Sequence, residues 1–141
     1  MRLCRFRLEE TVLTGFYADT YVVPLDQAAD AYSVEEEVEL LLPATEDLLD
    51  LLPPAGPTFE PARRLAAWVE ELDEVTLSRL AIPIEEVTLL LPIPRPPKIF
   101  LMAGNYAAHV TERGGTAAER AETFPYVFMK PPTTLTAPGD P

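Results

Sequence analysis

An α+β fold is predicted for this 141-residue chain by three features. Period-two strands occupy the first 25 residues, helical spacing of apolar residues runs from 26 to 72, and strand–helix–strand returns after a proline-rich crossing. "RLCRFRL" and "TVLTGFY" carry β-branched and aromatic residues, "EET" and "ADT" lie between them, and "TYVVPL" follows, which predicts a meander of two or three strands. Cys4, Phe6 and Leu8 fall at period two and share one face, so Cys4 reads as a core residue rather than a nucleophile. Pro24 is expected to close the third strand, because proline has no N–H to give to a ladder.

From Asp26 the pattern is helical: "LDQAADAY", then "SVEEEVELLLPATEDLLDLLPP", interrupted at Pro43 and stopped by Pro53 and Pro54. A clearer helix follows Pro57. Ala62, Leu65, Ala66, Val69 and Leu72 recur at spacings of three and four, with Arg63, Arg64, Glu70 and Glu71 on the other faces, so this stripe is expected to pack on the small sheet. Residues 77–98 hold five prolines and read as extended chain crossing to a second unit. The boundary falls at Leu91–Pro97, giving an N-terminal α+β domain over 1–91 and a second domain beginning at 92. In that second part "KIFLMAG" reads as a buried strand, "NYAAHVTER" as a short helix ended by Gly114 and Gly115, and "YVFMK" as another strand.

Charge and composition narrow the function. A net charge of −12 makes the phosphate backbone of nucleic acid a repulsive surface, so DNA and RNA are not expected partners. "MRLCRFRLEE" has basic residues with no apolar run behind them, so it does not read as a secretory signal, and no stretch reaches the ~20 apolar residues of a membrane span. A lone cysteine excludes an internal disulfide and a cysteine zinc cluster. The expectation is a cytoplasmic protein without a membrane partner.

The only histidine, His109, stands three residues before Glu112, so on a helix the two share a face. A carboxylate beside an imidazole favours the charged ring and orients it, which suits an acid/base pair; the spacing alone equally fits a structural histidine. Tyr106 shares that face and offers a phenolic donor or a core aromatic. Lys130 ends an apolar strand, where it meets an anionic substrate or is simply solvated. The acidic run of Glu35, Glu36, Glu37 and Glu39 reads as a solvated helical face rather than a metal site.

Taken in order, "PIPRPPKIFLMAGNYAAHVTERGG" and "ETFPYVFMKPPTTLTAPGDP" resemble the start of the catalytic domain of the fumarylacetoacetate hydrolase family. In that family a proline-rich lead and K-I run into a strand and then N-Y-x-x-H-x-x-E, and a later strand ends in K-P-x-T and G-P-G-D-P. The likeness covers residues 92–141; over 1–91, "MRLCRFRL" and "TGFY" are more loosely similar to the small domain that precedes it. Ala103, Gly104 and Ala108 depart from the family's usual residues at their positions.

The resemblance implies a metal-dependent enzyme, with Mg²⁺ or Mn²⁺, acting on acylpyruvate-like or other 2-oxo acids by C–C hydrolysis, decarboxylation, hydration or isomerisation. It implies the catalytic histidine at His109, its acidic partner at Glu112, site-shaping residues at Asn105 and Tyr106, and a substrate-side lysine at Lys130. The implied fold for 92–141 is the first strands of an incomplete mixed β-sandwich, commonly in a homodimer. The family's metal ligands, a Glu-x-Glu pair and a later Asp, follow the G-D-P turn, so these 141 residues are expected to bind no metal alone and to be inactive as a fragment. The competing expectation is a complete, non-catalytic binding or assembly module that has lost the metal-binding core.

Overall fold

The computed structural model describes residues 2–40, 42, 45–52, 57–103, 107–112, 114 and 126–139, with the backbone alone at His109. The chain divides into two compact units, Met1–Ile93 with Thr136–Pro141, and Pro94–Leu135. Its class is α+β.

In the first unit, β1 (Leu3–Leu8) and β2 (Thr11–Tyr17) form a hairpin, and β3 (Tyr21–Pro24) pairs with β2. The turn between β1 and β2 is two residues long, and Glu9 takes a φ of 53°, the left-handed backbone that such a turn asks of its first position. Two short strands complete an antiparallel sheet of order β4-β3-β2-β1-β5: β4 (Ile82–Pro83) lies beside β3, and β5 (Thr88–Leu90) lies beside β1. The 3-10 turn Ile84–Glu86 separates them, so one short connection links opposite edges and the sheet curls.

Alternation along the strands gives the sheet two apolar faces. Cys4, Phe6 and Val22 are buried on the inside of the curl, with Leu8, Leu13, Tyr17, Ile82, Ile84, Val87 and Leu89 packed around them. The opposite face carries Phe16 and Val23, which join Leu25, Ala28, Ala29 and Tyr32 of α1 (Leu25–Glu35) and Leu65 and Ala66 of α2 (Phe59–Glu71) in the larger core. The stripe of Ala62, Leu65 and Ala66 is therefore turned to the interior, and Trp68 meets the edge of Tyr32 at 5.5 Å between ring centroids. A strap over Thr45–Leu51 is tied to the same side of the sheet. Thr14 Oγ1 donates to the Thr45 carbonyl at 3.1 Å, Arg5 Nε donates to the Glu46 carbonyl at 2.8 Å, and Leu48 and Leu51 plug into the core.

Two sequence expectations are corrected here. The helical pattern expected to run on through 33–54 is not followed by the described residues of that stretch beyond Glu35. α1 ends there, and Glu37 turns out of it with a φ of 53°. Three consecutive carboxylates at a helix C-terminus face the negative end of the helix dipole, and the chain turns back instead, with Ser33 Oγ accepting from the Leu40 N–H at 3.3 Å. Among the described residues from 36 to 54, only Leu48–Leu51 regains a helical turn, as a 3-10 segment capped by Asp47.

Nor is 77–98 extended throughout. Leu77–Leu80 complete α3 (Glu74–Leu80), whose cap, Asp73, lies upstream of that window and accepts from the N–H groups of Val75 at 2.8 Å and Thr76 at 3.0 Å. The backbone N–H and hydroxyl of Thr76 lead the interactions that hold the Asp73 carboxyl below its ordinary value. Beyond α3, β4 and β5 are sheet edges rather than linker, and Pro83 is tolerated because β4 is an edge strand.

Gly15 is a point of close approach between strands. It faces Cys4 across β1–β2, and a Cβ placed there meets the carbonyl oxygen of Val23 and comes within 3.0 Å of the Phe6 ring. Gly15→Ala is expected to lower stability by about 1–3 kcal/mol through overpacking, read as a lower denaturant midpoint; an unchanged midpoint means the curl relaxes freely.

Cys4 behaves as the core residue its spacing predicts. Burial pushes its thiol from an ordinary value of 9.0 up to about 12, and Sγ reaches the Gly15 carbonyl at 3.6 Å. A folded value above the unfolded one stabilises the fold fully below pH 9 and is lost as pH rises toward 12, because the unfolded chain releases the proton first. Wild type should therefore lose stability relative to Cys4→Ala between those limits, measured by urea unfolding, and native Cys4 should resist a thiol reagent that labels the denatured chain.

Candidate active site

The second unit is built on β6 (Ile99–Ala103) and β7 (Tyr126–Lys130), paired antiparallel with Ile99 opposite Lys130 and Ala103 opposite Tyr126. Between them lies α4 (Ala107–Glu112). Thr111 Oγ1 bonds back onto the helix, its one hydroxyl proton within reach of the carbonyls of Ala108 at 2.8 Å and Ala107 at 3.1 Å. Gly114 then takes a φ of 74° and returns its N–H to the Thr111 carbonyl at 2.9 Å. This is the left-handed exit that glycine makes without strain.

α4 carries His109 and Glu112 at positions three apart, and such positions on a helix have Cβ atoms about 5–6 Å apart on one face. Glu112 is exposed. Asn105 and Tyr106 lie outside the described residues, as does the His109 side chain. Lys130 is exposed at the end of β7. The register places it beside the first residue of β6, whereas the chain leaves for α4 beyond the last. The two ends are four strand residues apart, about 13 Å at the usual rise.

Within "KIFLMAG" the described residues Ile99–Ala103 form the expected strand, but it is not buried: Phe100 is 60% exposed, and no described residue of the second unit is buried. The ladder explains why this is unusual. Phe100 and Met102 pair with Met129 and Val127 on one face, while Leu101 and Ala103 pair with Phe128 and Tyr126 on the other, so both faces are apolar. Met129 is 67% exposed and Tyr126 82%. Strands of this composition belong inside a layered sheet, covered on both sides.

Among the described residues no three His, Cys, Asp or Glu side chains gather as metal ligands. The Glu37-Val38-Glu39 segment is exposed in the first unit, leaving α1 through the positive φ of Glu37. These residues do not fit the divalent ion that the resemblance implies.

Sequence reading missed a groove of about 470 Å³ in the first unit, between β2, the start of α1 and the segment around Leu40–Glu46. Asp26, Asp30 and Glu46 line it together with Leu13, Leu25 and Leu42. Its one advance signal is the spacing of Asp26 and Asp30 at i and i+4, like charges on one helix face. Asp26 also sits in the first helical turn, where the dipole favours a carboxylate, and Glu46 lies 3.7 Å from Arg5.

No protein-family model matches the chain, and no curated protein matches it. No helix among the described residues is long and apolar enough to cross a membrane.

An exposed apolar ladder binds hydrophobic dyes. Replacing the cross-strand pair Phe100 and Met129 with Asp should lower the fluorescence of a bound anilinonaphthalene dye, whereas Val38→Asp, at an isolated exposed site, should leave it unchanged. Equal fluorescence from both variants counts against an uncovered ladder.

Proposed function

We propose that the chain forms the N-terminal part of a fumarylacetoacetate hydrolase-like enzyme acting on acylpyruvates or related 2-oxo acids. In this reading His109 moves a proton to or from the substrate or an attacking water, and Glu112 orients the ring and favours its charged form. Asn105 and Tyr106 shape the pocket and Lys130 faces the anionic substrate. The observation that carries the reading is the β6–α4–β7 arrangement, in which a short helix directly after an apolar strand holds residues 109 and 112 one turn apart. The ladder supports it further, because two strands that are apolar on both faces suit the inner part of a larger sheet.

Mg²⁺ or Mn²⁺ in such an enzyme polarises a chelated 2-oxo acid. The resemblance puts its ligands, a Glu-x-Glu pair and a later Asp, after the G-D-P turn, and the described residues gather no such set. A cytoplasmic homodimer accords with the reading.

A second reading, a non-catalytic binding or assembly module, is favoured by the first unit, which has cores on both faces of its sheet. In it the exposed ladder is a partner-binding surface and residues 109 and 112 do no chemistry. A monomer of these 141 residues that melts cooperatively in both units supports the module.

The deciding experiment follows Mg²⁺-dependent acylpyruvate cleavage by the isolated chain and by the protein as its native host makes it, with the intact mass of the latter. The enzyme reading expects a native mass well above that of the 141 residues, activity there alone, and a loss of about 10²–10⁴-fold in kcat on His109→Gln. Cleavage by the isolated chain, or full activity in the His109→Gln protein, overturns it.

A further inference from the structure

We draw no further inference here: the strongest candidate, the groove between β2, the start of α1 and the Leu40–Glu46 segment, rests on the acidic cluster of Asp26, Asp30 and Glu46, and no second observation points to a ligand for it.

Discussion

The first unit depends on a limit of chain length. β4 and β5 are the opposite edges of a five-stranded sheet, yet only residues 84–87 join them. Four interstrand gaps at about 4.8 Å make a flat sheet about 19 Å wide. Five fully extended steps from Pro83 to Thr88 reach at most about 18 Å, and the 3-10 turn over Ile84–Glu86 shortens that, rising only about 2 Å per residue. The sheet cannot be flat. It curls until the edges come within reach, and the inside of the curl becomes a narrow core that Phe6 fills at 0% exposure. Gly15 follows from the same limit, since the backbone of Val23 occupies the space a side chain there would need. So does the thiol of Cys4, which is desolvated because it faces this small interior rather than the helices.

The helix-side core is organised differently. There α1 and α2 each turn a stripe of small and large apolar residues toward Phe16 and Val23, and the strap from Thr45 fills the remaining part of that face. Thr14 and Arg5 lie on the face that carries Phe16 and Val23, and each donates to a strap carbonyl, Thr14 through Oγ1 and Arg5 through Nε. Bonding a backbone acceptor with a fixed side chain removes the cost of leaving either group dry, so two polar residues on the core side of the sheet become anchors for the strap. Among its described residues the second unit has no comparable interior. Two strands alone are marginal in water, and here both faces of the pair present large apolar side chains.

What the sequence revealed depended on how far each signal extends along the chain. β1 to β3 were legible because alternation persists over several residues and is punctuated by turn residues; α2 was legible because Ala62, Leu65 and Ala66 repeat at helical spacing. β4 and β5 have two and three residues, too few for any period, and they exist because β1 and β3 offer open edges. α3 is fixed by one capping carboxylate, Asp73, whose effect is local and easily lost among the prolines downstream. The acidic run misled because its apolar neighbours suggest a face, while the dipole at the end of α1 works against continuing the helix. At the candidate site the spacing of His109 and Glu112 was readable directly. The position of Lys130 was not, since strand register is a property of pairing and no single strand encodes it.

Burial links the stability of the second unit to the proposed chemistry. A carboxylate in water attracts a neighbouring imidazolium weakly, because solvent screens the pair; an exposed ion pair contributes about 0–1 kcal/mol. Glu112 is in that exposed setting. The same pair in a covered site interacts far more strongly, and its effect on the proton of a histidine grows with it. Whatever covers Phe100, Met102, Val127 and Met129 would therefore remove apolar surface from water and lower the dielectric along the strand that leads into α4. Cover that binds the folded ladder and not the unfolded chain stabilises it by mass action. Under the proposed function, then, covering the ladder would have two effects with one cause: the same exclusion of water that buries apolar surface would strengthen any attraction between charges at positions 109 and 112.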